Sequence, residues 1–476
     1  MSVRTPSTVE LSSELPSRSS FDFRGQLRPT LRLALPLVLA ELGWMSMAIV
    51  DTMMVGRLPN SAVAISAVSI SSNLFHVLAF FGEGVLIGLD TLVSQAFGAG
   101  QREDCHRSLL NGVYLSFGLF PLLAAPAYFF RPLLAKIGVE PAVMQESLPY
   151  MKTLIVGLLP LLLYFAVRRA LQAMNMVLPV VFALVTANLL NLFFNYVLIF
   201  GKLGFPAMGV EGSGWSTAIA RTYMAAVLVG YLFWYDRKHR TELLKTPVEV
   251  DLRRIRRLVA LGLPAAIQIT LEVGVFAFVA ALIAPLGAIA LASHQIALNT
   301  VAFTYMVPLG ISSAAAVRVG QAIGRKNPLA ASQAGNTAIL LAGSFMFCMS
   351  AALVIFPRQI ALMYTHDELV IRSTIILLAA GAAFQLFDGI QCVVTGALRG
   401  IGDTRTPMLV HFTAYWLLGV PLGTWLCYRR HWGVLGLWVG LSLALILIGI
   451  LLLSFWRRKL RQLRGDEREL VEGVKI

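Results

Sequence analysis

Residues 434–456 read VLGLWVGLSLALILIGILLLSFW, an apolar run without a single charged side chain. About 20 such residues carry an α-helix across the hydrocarbon core of a bilayer. Inside lipid no water satisfies backbone N–H and C=O groups, so a run like this must be helical. Arg457, Arg458 and Lys459 follow it at once and mark an aqueous boundary. Working outward, runs of the same kind occur at 31–56, 62–97, 107–130, 143–174, 178–200, 209–235, 256–283, 287–320, 331–355, 370–398 and 407–428. Twelve membrane spans are expected. The second and eighth are long and interrupted by Gly or Pro, so kinks are expected in both.

Composition agrees. The 476 residues are 57% hydrophobic and only 13% charged, and mean hydropathy is +0.74. An ordinary soluble protein carries about 25% charged residues, so a soluble enzyme, a disordered chain and a disulfide scaffold are all excluded. The four cysteines, Cys105, Cys348, Cys392 and Cys427, are scattered and form no C-x-x-C pair. A disulfide framework or a cysteine metal site is therefore not expected.

The net charge of +14 is explained by where the bases fall. With a cytoplasmic N-terminus and alternating spans, 29 of the 39 Lys and Arg residues lie in cytoplasmic loops and tails, seven lie outside, and Lys152, Arg221 and Arg372 lie within spans. This is the positive-inside pattern. It predicts both termini in the cytoplasm, and it needs no nucleic acid as partner; the expected location is the cell (inner) membrane.

The chain repeats itself. Leu35-Pro36 answers Leu263-Pro264, and Ser94-Gln95-Ala96-Phe97-Gly98 answers Gly320-Gln321-Ala322-Ile323-Gly324. Ala170-Leu171 before Pro179 answers Ala397-Leu398 before Pro407, and Met208 to Gly212 answers Trp432 to Gly436. The repeating unit is six spans, an even number, so both copies insert the same way round, as in transporters built from parallel repeats. The expected organisation is a disordered cytoplasmic tail (1–28), a first six-helix half (29–235), a linker (236–251), a second half (252–457) and a C-terminal tail (458–476). The expected fold is an all-α polytopic membrane protein of two pseudo-symmetric six-helix bundles facing a central cleft.

Six acids sit within these spans: Glu41, Asp51, Glu83, Asp90, Glu272 and Asp388. A charge at the bilayer centre costs about 2.5–3.5 kcal/mol on insertion scales, so each needs a partner, a proton or water. Glu272 and Asp388 lie mid-span with no basic residue within one helical turn; they are the expected site of a coupling cation. Asp51, toward the far end of span 1, joins them as a candidate. Glu83 and Asp90 are seven residues apart, hence on one helical face, and are candidates for lining the cleft. Asn188, Asn191 and Asn195 form a stripe on span 5 that either lines the cleft or glues helices together.

Tyr235-Asp236 and Gly400-Ile401-Gly402-Asp403 spell the elements of an intramembrane aspartyl protease. Both acids fall at span ends beside Arg237 and Arg405, where turns are expected anyway, so an enzyme is not expected. Neither a phosphate-binding P-loop nor an H-E-x-x-H motif occurs, which argues against a primary pump.

The same segments resemble the MATE family of multidrug and toxic-compound extrusion transporters over residues 30–456. The matching stretches are Val50-Asp51-Thr52 through Val55-Gly56, Leu92 through Gly100, Met208-Gly209-Val210-Glu211-Gly212, and Ala397 through Thr404. The resemblance implies a V-shaped pair of six-helix bundles that exports lipophilic organic cations, as a monomer in the lipid bilayer, in exchange for H⁺ or Na⁺. By position, Glu272 and Asp388 resemble the cation-site acids of the NorM-like and eukaryotic branches, where Na⁺ could bind, and Asp51 resembles the span-1 aspartate. The archaeal pattern adds an aspartate on span 5, where this chain has only asparagines. The sodium-coupled pattern has a Tyr four residues before the span-10 acid, where this chain has Phe384; this tilts the expectation toward H⁺. The alternative reading is a lipid-precursor flippase of a related fold, which would need a cationic cleft for pyrophosphate.

Overall fold

A computed structural model describes residues 23–240 and 249–473. Among them every regular element is helical. Eleven helices are long and apolar enough to cross a membrane, and one bent pair makes a twelfth. In chain order they are α1 (Phe23–Val55), α2 (Ser61–Gly98), α3 (Arg102–Ala124), α4 (Pro141–Val156 with Leu158–Ala173), α5 (Leu178–Phe200) and α6 (Gly209–His239). The second half holds α7 (Leu252–Ile283), α8 (Ala288–Gly324), α9 (Pro328–Ile355), α10 (Glu368–Ile401), α11 (Arg405–Arg429) and α12 (Val434–Gly473).

Each expected run therefore became a helix, with five differences at breaks and ends. The helix of span 2 does break, at Ile87, but α8 runs unbroken through Pro308. The unforeseen break is in α4, bent by 41° at Gly157. There a Cβ would approach within 3.1 Å of the Ala218 backbone on α6. Residues 23–28, assigned by sequence to the tail, already form the first turns of α1; residues 1–22 lie outside the described residues. The sixth helix runs further than expected, since α6 continues to His239, whereas α7 starts at Leu252 as expected; residues 241–248 lie outside the described residues. The C-terminal tail continues α12 as helix as far as Gly473, in keeping with its Arg, Leu and Glu content; residues 474–476 lie outside the described residues.

The helix ends show why the elements start where they do. Asp251 caps α7, accepting from the backbone N–H groups of Arg253 (3.0 Å) and Arg254 (3.1 Å). The same bonds, chiefly that from Arg254, hold its carboxyl below the usual aspartate range. Asp367 caps α10 through the N–H of Leu369 at 2.9 Å. At the other end of α5, Gly201 takes φ +64°, a left-handed conformation that costs a glycine little.

Two apolar cores form, one per half. The first centres on Leu86, Phe165 and Leu171, the second on Phe384, Tyr415 and Trp456, all essentially buried. A third cluster joins the halves: Leu33, Ala34 and Leu37 of α1 meet Ile311 and Ala314 of α8. Lipid is as apolar as leucine, so helices in a membrane associate through close packing of small residues. The seam between the halves does this at Gly88, where a Cβ would lie 2.6 Å from the Leu258 carbonyl oxygen. The start of α1 and the distal part of α12 both pack on α9: Gln26 Nε2 donates to Gln333 Oε1 (3.3 Å) and Trp456 Nε1 to Asn336 Oδ1 (2.9 Å). Both described ends of the chain thus lie at one face of the molecule, called here the terminal face.

Candidate functional site

The second half encloses a polar site among α7, α8, α10 and α11. Asp388 on α10 is 6% exposed, and the Glu272 side chain on α7 is 15% exposed. One amide nitrogen serves both: Gln391 Nε2 lies 3.2 Å from Asp388 Oδ1 and 3.5 Å from Glu272 Oε1. Glu272 accepts two more hydrogen bonds, from Tyr305 OH on α8 (3.2 Å) and from Gln268 Nε2 one turn back on α7 (3.2 Å). His411 on α11, fully buried, has Nε2 3.0 Å from Gln391 Oε1 and 3.9 Å from Glu272 Oε2. Its Nδ1 lies 2.7 Å from the Pro407 carbonyl. Just beyond His411, α11 widens into π-helical winding over Phe412–Gly419, a form often found at functional sites.

Two acids that share one neutral donor and, among the described residues, face no Lys or Arg within ion-pair distance leave negative charge uncompensated when ionised. Such a site favours a small cation, a proton or an organic cation. Phe384 packs on the Trp438 ring, with centroids 6.1 Å apart, so it adds no oxygen to the site.

The first half holds a second carboxylate site. Asp51, on α1, is 6% exposed. It accepts from Asn195 Nδ2 (2.6 Å) on α5 and from Thr217 Oγ1 (2.9 Å) on α6. Asn195 also donates to Asn191 Oδ1 (3.1 Å), and Asn191 is tied to Ser216. Two of the three span-5 asparagines therefore join Asp51. Asn188 does not; its amide donates to the backbone carbonyls of Gly43 (3.2 Å) and Leu184 (2.9 Å), binding α5 to α1.

Comparison with known families supplies the context. The MatE family model matches twice, over residues 36–197 and 264–425, an offset equal to that between Pro36 and Pro264.

The chain belongs to the MATE family.

It is 34% identical to the probable multidrug resistance protein NorM of Mesorhizobium japonicum over 451 residues, covering 92% of this chain and 95% of that protein. It is 30% identical to the multidrug resistance protein MdtK of Edwardsiella ictaluri, covering 90% and 94%. The fold matches the crystal structure of the eukaryotic MATE transporter AtDTX14 with a TM-score of 0.83 at 22% identity, over 93% of this chain and 99% of that one. The family is one of transporters, not enzymes, and the relatives are of the NorM kind.

Within this MATE chain the remaining span acids are already paired. Glu83 and Asp90 share one side of α2, and Arg169 of α4 grips both: Nη2 is 2.7 Å from Glu83 and Nη1 is 3.3 Å from Asp90. Glu41 pairs with Arg168. Of the three bases that sequence placed within spans, Arg221 is buried 4.4 Å from the Phe75 ring centroid, while Lys152 and Arg372 are exposed; Arg168, Arg169 and Arg399, which sequence assigned to cytoplasmic loops, are instead buried within α4 and α10, where the acids of α1 and α2 compensate them.

Sequence reading missed Gln391, His411, Tyr305 and Thr217. The signal for Gln391 and His411 was available. An amide one turn from a lone mid-span acid, and a histidine within a span, both need partners inside the bilayer.

Proposed function

We propose that this protein is a secondary active multidrug efflux antiporter of the inner membrane, exporting lipophilic organic cations in exchange for H⁺. Glu272 and Asp388 hold the coupling cation, and Asp51 forms a second carboxylate site. The observation that carries the reading is the single Gln391 amide joining a buried and a partly buried carboxylate from different helices.

Open to one side, the acid pair takes up its small cation. That cancels one of the pair's two negative charges and weakens its hold on a bulky cation, which leaves. After the halves rock, the small cation departs, and the bared carboxylates attract the next organic cation. Each pH unit supplies about 1.4 kcal/mol. A one-for-one exchange of like charges is electroneutral, so one pH unit sustains a roughly tenfold drug gradient. H⁺ is favoured over Na⁺ because Phe384 replaces the hydroxyl of the sodium-coupled pattern and faces Trp438.

The test is transport of a fluorescent organic cation in proteoliposomes, with a pH gradient and a Na⁺ gradient imposed separately. Uptake driven by the pH gradient alone, and abolished in both Glu272→Gln and Asp388→Asn, is expected. Uptake driven only by Na⁺ would overturn the choice of ion. Full activity in both variants would overturn the site.

A further inference from the structure

The acids that sequence placed on one face of span 2 do their work at the seam between the halves. Asp90 is 2% exposed, Arg169 6% and Arg399 8%. Asp90 Oδ2 is shared by Arg169 of its own half (3.3 Å) and Arg399 of the other half (4.0 Å). Around this pair, α2 clasps the last turn of α10. Thr91 Oγ1 donates to the Arg399 carbonyl (2.7 Å) and Gln95 Nε2 to the Gly400 carbonyl (3.0 Å). A helix leaves its last carbonyls without intrahelical partners; here the opposite half supplies a donor to the Gly400 carbonyl and a second donor to the Arg399 carbonyl, which also accepts from the Gly402 N–H (2.9 Å). On the far side of the seam Gln321 of α8 donates to the Ala173 carbonyl at the end of α4 (2.8 Å). A second ion pair across the seam, Arg254–Asp104 (2.9 Å), lies at the half-exposed rim.

All these bonds lie toward the terminal face, at the ends of α2, α4, α8 and α10. We infer that Asp90 and Arg399 are the gating pair of the transport cycle: their contact seals the path between the halves on the terminal face, and it breaks when that path opens.

The cluster is built to be reversible. Arg168, Arg169 and Arg399 face Glu41, Glu83 and Asp90, three charges against three. Yet Asp90 Oδ1, Arg169 Nε and Arg399 Nε are buried with no hydrogen-bond partner. A buried ion pair whose remaining atoms are unsatisfied gains little net stability, because desolvation offsets attraction. Opening rehydrates those atoms, so the closed and open forms stay close in free energy. Removing one charge is different, since it strands the other in the closed form alone. The geometry also couples the gate to the cation site, because Arg399 and Asp388 ride on one helix, α10, three turns apart.

The experiment is distance measurement by pulsed electron spin resonance on the full-length protein with Cys348→Ser. One spin-label pair sits on the terminal face at Arg102→Cys and Leu329→Cys, the other on the opposite face at Lys202→Cys and Arg430→Cys. Asp90→Asn and Arg399→Gln are each expected to raise the long-distance population on the terminal face at least threefold and to shorten the distances on the opposite face. The double variant, which strands no charge at the pair, should lie closer to the parent than either single variant does. The gentler Arg399→Lys, which keeps the charge, should shift the populations less. A reciprocal change on the two faces cannot come from general loosening of the fold. Unchanged populations in both single variants, or longer distances on both faces, would overturn the inference. The labels report closure whichever ion couples and wherever it binds, so this result is independent of the Glu272–Asp388 test.

Discussion

Gln391 and Asp388 sit three residues apart on α10, with the amide nitrogen 3.2 Å from the carboxylate oxygen, and the same nitrogen reaches across to Glu272 of α7. A donor shared in this way stabilises both acids as anions and so competes with any cation that would neutralise them. A hydrogen bond to a charged group is worth about 1.5–3 kcal/mol. Gln391→Leu should therefore make the site hold its coupling cation roughly ten- to hundredfold more tightly and slow its release. In proteoliposomes, the coupling-ion concentration giving half-maximal transport should fall by about tenfold or more, with a lower maximal rate. An unchanged half-saturation would show that the amide is only packing.

The asparagine stripe on α5 separates into two roles. Asn195 donates to Asp51, whereas Asn188 donates only to backbone carbonyls. Asn195→Leu leaves a buried carboxylate short of a donor, at a cost of about 1–3 kcal/mol. It should lower both thermal stability and transport. Asn188→Leu exposes no carboxylate and should leave the coupling-ion dependence of transport intact. Equal effects of the two on that dependence would remove Asn195 from the Asp51 site.

The fold was legible because its determinants are local. A run such as 434–456 can only be a helix in lipid, and the Leu35-Pro36 and Leu263-Pro264 pair already carries the repeat that the family match reproduces. The break at Gly157 was hidden because it answers to Ala218 on another helix. The site was half legible. Lone acids mid-span announce themselves by their cost, so Glu272 and Asp388 stood out. Their partners did not: Tyr305 is an ordinary membrane residue until α8 brings its hydroxyl to Glu272. Helical periodicity put Glu83 and Asp90 on one face, and it held across the break at Ile87. What it could not show was Arg169, 79 residues beyond Asp90, filling the space where a cleft was expected.

At the start of α7, Asp251 offers a test by pH. Its carboxyl is held below the usual aspartate range by the N–H of Arg254, so the folded protein prefers it ionised. Such a group contributes stability above its unfolded pKa of about 4 and loses that contribution as pH falls through the folded value. Asp251→Ala should therefore unfold at a lower temperature than the parent at pH 7, and the gap should shrink as pH drops below about 4. A gap independent of pH would mean that the cap acts without its charge.

Glu41 and Arg168 form an ion pair inside the first half, with side chains 12% and 3% exposed. Insertion cost alone makes a mid-span glutamate unfavourable, so the pair explains why Glu41 is tolerated there. Breaking a buried pair by removing one partner typically costs about 3–5 kcal/mol, whereas replacing both partners with neutral groups is often close to neutral. Arg168→Met alone should therefore lower the unfolding temperature sharply in detergent, and so should Arg168→Gln. Adding Glu41→Gln to Arg168→Met should recover most of the loss, leaving a coupling of at least about 2 kcal/mol in the double-mutant cycle. Tyr164, whose ring lies 6.0 Å from the Arg168 guanidinium and is stacked on Trp44, stays in place in every variant, so the cycle isolates the ion pair from the aromatic packing around it. Additive losses would mean that Arg168 supports the helix bundle through its hydrocarbon stem, and that Glu41 finds its compensation elsewhere.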